Sequence, residues 1–490
     1  MTLPGISTSL LQSSIKSSPT SDFSTAFMAG IASTGPIDVA TRVESFVDFK
    51  AVYGERISGY SDLYDHVDLF FQEGGSVAYI ARAIGPSPVS AAVNLYDASG
   101  STAPGDVSLV ATAITPGDWA NTYRVAVIAG DTGGEFKVTV DDGTTVVETS
   151  TSLVDRAAAV TWSAGSDYIR LTLGASAEDP RVQAAAAMSG GDDDHNGLTD
   201  ATCQDALDLF LRGQGSGQVS FPGRTTKECH AQLAAHATAN NRVAVGAFDN
   251  LTLAADLIAD ADDSRAEIAE DDLQRVFLCG SWLDINGVST GTTRTVSPEG
   301  SILGLIAKSD AVGSNTVNDA AAGANGISEA VEAISQAEWS DADREALNDA
   351  GVNVYREVGN SIRLYGIRTM VDSSVEGAWT SFANARLAMA IQSLGEAIGE
   401  SYVFQDIDGA GVVIGKFNGE LTGMLLQLYN AGALYGDTTA DAFLVDTGSA
   451  VNTTETLAAG LLKAKLYVKM SPNAEMISID IIKVSITSTI

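Results

Sequence analysis

Two blocks near opposite ends of the chain each spell out a compact assembly unit, and neither is a catalytic motif. In the first, Tyr64 to Gly85 (YDHVDLFFQEGGSVAYIARAIG), Leu63 and then Val67, Phe70 and Phe71 recur at helical spacing, so one helix face is apolar. Gly74-Gly75 ends that helix, and Ser76 to Ile84 reads as a buried strand. In the second, Gly351 to Met370 (GVNVYREVGNSIRLYGIRTM), Val352, Val354 and Val358 lead into Ile362-Arg363-Leu364-Tyr365-Gly366. That is a short apolar strand interrupted by arginines and stopped at glycine.

The 490 residues between and around these blocks leave room for two to four domains and a large core. No segment approaches the ~18 uninterrupted apolar residues of a membrane span. The first 20 residues carry one lysine and no continuous apolar run, so no secretory signal is expected. Net charge is −34, unevenly spread: −4 over residues 1–84, −25 over 85–349 and −5 over 350–490. Strong like charge is hard to accommodate at contacts repeated many times. The pattern therefore suggests ends that assemble and a middle that faces solvent. It also argues against partners that are nucleic acid or anionic membrane.

The expected fold class is α/β (α+β), multidomain. Residues 1–20 are Ser/Thr-rich and read as an extended arm, and 21–84 as α/β. Residues 85–188 read as an inserted all-β module, with Phe136–Val140 before Asp142-Gly143 as its clearest hairpin signal. Residues 189–349 return to α/β: helix 203–212, strand 217–221, helix 225–240, strand 242–248. The acidic run 256–272 reads as a solvated helix or loop. Residues 350–490 alternate short strands with helices, the best being 379–398.

In order along the chain, several short blocks resemble the contractile tail sheath proteins of bacteriophages and related injection machines. They include Leu3-Pro4-Gly5-Ile6, Gly35-Pro36, Ser45 to Phe49 with Tyr53-Gly54, Phe221-Pro222-Gly223, and Ser281-Trp282-Leu283. Val296-Ser297-Pro298-Glu299-Gly300 through Ala307-Lys308-Ser309-Asp310 continues the pattern. Gly351-Val352-Asn353 with Gly366-Ile367-Arg368-Thr369 is its most specific part, and Gly432-Ala433-Leu434, Asn452-Thr453 and Ala474 to Ile477 close it. Ala385-Arg386 and Gln405-Asp406 depart from it, and residues 85–188 fall outside it. The resemblance implies a sheath core built from N- and C-terminal parts around the insertion, with 350–490 next to an inner tube. It implies a structural subunit of a virion tail, not an enzyme, with no cofactor. Its partners would be further copies of itself in stacked hexameric rings, the tail tube, and baseplate and terminator proteins.

Three residue sets bear on such an assembly. Ile477, Ile479 and Ile481 alternate with polar residues, and Ile482, Val484 and Ile486 alternate in the opposite phase. A one-residue slip turns the other face inward. It marks either a bulged strand within one subunit or a strand donated to a neighbour, as the arm at Pro4, Gly5 and Ile6 would also be. Lys463 and Lys465, spaced to share a strand face, are either a solvated edge or contacts to acidic groups on the tube. Cys203, Cys229 and Cys279 are an odd number, so at least one has no partner within the subunit. They are either free thiols or, through Cys203 or Cys229, bridges between adjacent subunits; Cys203 at a helix start would be exposed with a lowered pKa.

Enzyme and metal signals are thin. None of the four histidines forms an HExxH pair and no two cysteines form CxxC. Gly411 to Phe417 is one residue short of a P-loop and has Phe where Ser or Thr is needed. Asp131-Thr-Gly and Asp446-Thr-Gly look like the paired loops of an aspartic peptidase, whose two carboxylates share a proton; the alternative is two ordinary turns. Asp192, Asp194 and Asn196 match the opening of a calcium loop, but Cys203 stands where the bidentate Glu belongs.

Overall fold

The computed structural model describes residues 23–57, 63–287, 291–312, 317–374, 377–475 and 477. They fall into two compact units. The larger takes Asp22–Lys308 and Ala321–Phe382, the smaller Ser309–Ala320 and Ala383–Ile490.

The larger unit begins with strands β1 (Ala26–Gly30), β2 (Thr41–Val43) and β3 (Ala78–Arg82). Every residue of β1 is buried. Its small and apolar side chains, AFMAG, suit a strand covered on both faces, as parallel sheets are. β1 runs parallel to β3, and β2 closes that edge antiparallel. Helix Leu63–Gln72 precedes β3 and buries Leu63, Val67, Leu69 and Phe70. Gly74 follows at φ +116°, a left-handed position that only glycine takes easily, and turns the chain into the strand.

Between β3 and the next strand of this sheet lies a separate β module. β4 (Ala92–Tyr96), β5 (Val107–Ala113), β6 (Arg124–Ala129), β7 (Phe136–Asp141), β8 (Val146–Thr149), β9 (Ile169–Leu173) and β10 (Gln183–Ala187) form it. They make one sheet in the order β4-β5-β9 and another in the order β10-β6-β7-β8. The two share a core that includes Leu95, Leu109, Val125, Val127, Val138, Val140, Ile169 and Leu171. The β7–β8 turn is held by Asp142, whose Oδ1 accepts from the backbone N–H of Thr144 and Thr145. The module is not all β. Asp155 caps helix Arg156–Ser163, accepting from the Ala158 N–H at 2.7 Å.

β11 (Gln218–Ser220), β12 (Val243–Ala247) and β13 (Val276–Cys279) return to the main sheet, each fully buried. Helices Asp200–Asp208, Lys227–Asn240 and Ala254–Glu267 alternate with them. The last belongs to the acidic run, and it is not simply solvated: Leu257, Ala261 and Ser264 are buried. β14 (Leu283–Asn286), β15 (Thr293–Val296) and β16 (Ala333–Ile334) form a small antiparallel sheet around helix Glu299–Val312 in the sequence. β17 (Val352–Asn353) completes the main sheet, order β17-β13-β12-β11-β1-β3-β2. Residues 64–85 and 351–353 thus build one sheet, and the division expected at residue 350 falls after Phe382 instead. The hairpin β18 (Tyr355–Val358) and β19 (Ser361–Leu364) follows.

The smaller unit contains helices Phe382–Glu400 and Val412–Asn430 and an antiparallel pair, β20 (Phe443–Asp446) and β21 (Lys465–Val468). Arg386, almost fully buried, pairs with Asp310 and reaches the Val317 carbonyl at 3.4 Å. No described helix is long and apolar enough to cross a membrane.

Candidate assembly surfaces

The β20–β21 pair is tied to the helix before it. Asn418 donates its amide to the Val445 carbonyl at 3.1 Å and to Thr447 Oγ1 at 3.0 Å. Asn452 grips the approach to β21 from both sides: its Oδ1 accepts the Lys463 N–H and its Nδ2 donates to the Lys463 carbonyl, both at 2.8 Å. Among the described residues β20 pairs only with β21 in a strand ladder, and β21 only with β20. A two-stranded sheet is marginal alone, and its free edges are templates for further strands.

This unit is also unusually apolar outside. It holds about a quarter of the described residues but nine of the 21 large apolar side chains exposed among them. Leu444 and Tyr467 are among them and lie directly opposite each other across the pair. Lys463 and Lys465 are both exposed, but only Lys465 is in the strand. Ile477 is exposed and outside any strand, while Pro4, Gly5, Ile6, Ile479, Ile481, Val484 and Ile486 lie outside the described residues.

The calcium-like run does other work. Asp193, absent from the expected ligand set, turns inward and pairs with buried Arg82, with Asp118 N–H at 3.4 Å. Arg82 also donates to the carbonyls of Ala32 and Gly35. Burial pushes the Asp193 carboxyl up to about 6, while Arg82 restrains the rise. Asp192 Oδ1 accepts from the Asp194 N–H at 2.8 Å, and Asp194 Oδ2 from the Ser87 N–H at 3.0 Å. Asn196 is exposed. These carboxylates therefore brace the neck of the β module, and no cluster of three or more His, Cys, Asp or Glu suited to a metal occurs among the described residues.

The Asp-Thr-Gly loops are likewise local turns. Asp131 is exposed and pairs with Lys137 at 2.6 Å in the larger unit. Asp446, in the smaller, accepts from the Gly448 N–H at 2.9 Å. Of the two readings of the cysteines, burial favours free thiols over bridges between subunits. Cys203, Cys229 and Cys279 are all completely buried, so none reaches a surface where a neighbouring copy could meet it. Burial raises Cys203 to about 11 and Cys279 to about 12, and Cys229 still further, the reverse of an activated thiol.

His66, His230 and His236 are buried residues. His236 Nε2 stands 2.8 Å from Arg242 Nη1, and His230 Nε2 stands 3.0 Å from the Ala247 carbonyl. Arg242 itself is buried 3.6 Å over the Phe27 ring and donates to the carbonyls of Phe210, Leu211 and Gly215. Nothing in this packing resembles an active-site constellation.

Neither a known family model nor a curated protein matches the sequence. Solved structures do match the fold. The sheath tail protein of Desulfitobacterium hafniense superposes with TM-score 0.61 at 14% identity, covering 87% of this chain and 91% of that one. The sheath tail protein of Listeria innocua gives 0.60 at 13%, covering 87% and 89%. The contracted helical sheath of the anti-feeding prophage gives 0.55 at 14%, covering 93% and 92%. Over nearly its whole length, the chain has the fold of the contractile tail sheath proteins.

Proposed function

We propose that this chain is the repeating subunit of a contractile tail sheath. Copies form six-fold rings stacked helically around an inner tube, anchored on a baseplate and closed by a terminator. The assembly belongs to a particle tail, built in the host cytoplasm. A baseplate signal releases the extended lattice, which shortens and widens and drives the tube through the host envelope. The observation that carries this reading is the likeness to sheath folds across both units, rather than across one shared domain. The concentration of exposed apolar side chains and free strand edges in the smaller unit supports it as the contact-making part. We place the arm 1–20 and the strand around 477–487 as links between neighbours, and the β module outside the lattice. Work is stored in packing between copies, because a lattice with two packings of one rigid subunit needs no cofactor. Negative-stain microscopy of the purified protein, alone and with its tube, is the test. Hollow tubes or striated sheaths are expected; monomers under every condition would reject the reading.

A further inference from the structure

Three described non-glycine residues have positive φ: Asp194, Asn241 and Phe404. Asp and Asn tolerate the left-handed region; a bulky aromatic does not. Phe404, at φ 65°, also has its ring fully exposed, so no packing within the subunit compensates for the strain. The turn carrying it is braced. Tyr402 N–H donates to the Gly399 carbonyl and Gln405 N–H to that of Tyr402, at 2.9 and 3.1 Å. Gln405 Nε2 reaches the Ser401 carbonyl at 2.6 Å. Asp408 caps the following helix at Val412 and Val413, and the Tyr402 ring meets buried Phe417 edge-on at 5.1 Å. A strained aromatic held outward on a rigid turn has the character of an intersubunit anchor.

Charge indicates what it meets. Residues 396–411 carry Glu396, Glu400, Asp406 and Asp408 and neither Lys nor Arg; the next cation, Lys416, is on the following helix. Glu400 and Asp406 are exposed beside Val403 and Phe404. The complementary surface is on the same chain. Leu444 and Tyr467 form an exposed apolar pair across β20–β21. Residues 461–469 carry Lys463, Lys465 and Lys469 and no acid. Asp441 engages Lys469, whereas Lys463 and Lys465 are exposed, with Asp446 opposite Lys465 across the pair as the one acid on this face of the two strands. Taking the chain as a sheath subunit, we propose that the 401–408 turn of one copy docks on the β20–β21 face of the next. Phe404 packs on Leu444 and Tyr467, and Glu400 and Asp406 face Lys463 and Lys465. Such a contact joins two different patches, so it propagates into rings or filaments rather than closing a pair. It also sets opposite charge against opposite charge in a chain of net −34. The tube is the competing occupant for those lysines; the self-contact is favoured because both complementary halves lie on this chain.

The three native thiols are buried, so introduced cysteines report alone. The double variant F404C/Y467C, assembled and treated with a short bismaleimide, should give a ladder of covalent multimers on denaturing gels, with each single variant staying monomeric. F404G should raise the Tm of the free subunit by relieving strain, yet raise the concentration needed for assembly about tenfold; a merely structural Phe404 would lower Tm. K463E/K465E should weaken assembly about tenfold, and copies carrying E400K/D406K should restore it. Tubes that form without the ladder or the charge-swap rescue overturn this contact and leave the sheath reading standing. Cross-linking only to a co-assembled tube protein overturns it in favour of the tube. A wild-type chain that never polymerises, with or without a tube, overturns both.

Discussion

His66, His230 and His236 are pushed down to about 4, chiefly by burial, with Arg242 adding to the effect at His236. An unfolded chain takes up these protons near 6.5, and the folded one refuses them until about 4. Stability is therefore intact above pH 6.5 and falls as pH drops toward 4, by roughly 3 kcal/mol per imidazole at the limit. Melting curves from pH 7.5 to 4.5 should show that slope. His236→Gln keeps an acceptor for Arg242 and should make the slope shallower, with His66 and His230 still contributing; an unchanged slope would assign the acid sensitivity elsewhere. The cysteines give a second check at this scale. Native protein should leave all three thiols unreactive to a disulfide reagent, and denatured protein should titrate all three. Rapid labelling of Cys203 in the native state would contradict its burial. Its sequence position, just inside a helix start, suggested the opposite. The missing information was tertiary: Cys203 packs in the main core with Leu207, Phe210 and Cys229, and one residue's neighbours in sequence do not say which helix face turns inward.

Among elements, those carried by local rules were legible and those decided by partners were not. The Asp142-Gly143 hairpin, the helix stopped at Gly74-Gly75 and the alternation of strand and helix over 200–248 follow from turn chemistry and period. The helix at Arg156–Ser163 interrupts a stretch whose composition reads as all β, and its local signals are the Asp155 cap and the alanine run. The division at 350 misplaced Val352–Asn353, because two residues at a sheet edge carry no signal of which sheet they join. The calcium reading followed side-chain spacing, but Asp193, which fits no ligand position, turned out to be the buried member. The neck it stabilises makes a specific prediction. Gly85 N–H donates to the Asp193 carbonyl at 3.0 Å, and Val89 pairs with Asp192. A Cβ on Gly85 would run into the Asp194 carbonyl oxygen, so the two neck segments approach this closely because residue 85 is glycine. The module's entry and exit are therefore adjacent, and it has its own core. Excising Pro86–Gly191 and joining the ends with a short glycine linker should leave the seven-stranded sheet folded, as read by circular dichroism, and should spare polymerisation. A soluble, folded remainder that no longer assembles would show that the module makes lattice contacts.

For the whole molecule, the balance of charge and apolar surface separates the smaller unit from the rest. Most of the strongly acidic middle of the sequence lies in the larger unit, and the nearly balanced C-terminal part supplies most of the smaller one. That smaller unit exposes apolar side chains and a sheet that has two strands among the described residues, and both cost stability unless something covers them. The segment that follows β21 alternates through Ile477, Ile479 and Ile481 and then slips phase at Ile482. A strand with that slip can satisfy one sheet up to Ile481 and another beyond it, which is what a link between copies requires. Backbone hydrogen bonds at a sheet edge do not depend on side-chain identity, so such a link tolerates rotation of the subunits it joins. Deleting residues 478–490 should therefore leave a soluble subunit whose melting temperature is close to that of the full chain, because a strand donated to a neighbour adds nothing to the core of its own subunit. The same truncation should fail to form tubes by microscopy and should sediment as a monomer. Sheaths of normal length from the truncated chain would show that the phase slip is only a bulge within one subunit, and that the lattice is held by side-chain contacts alone.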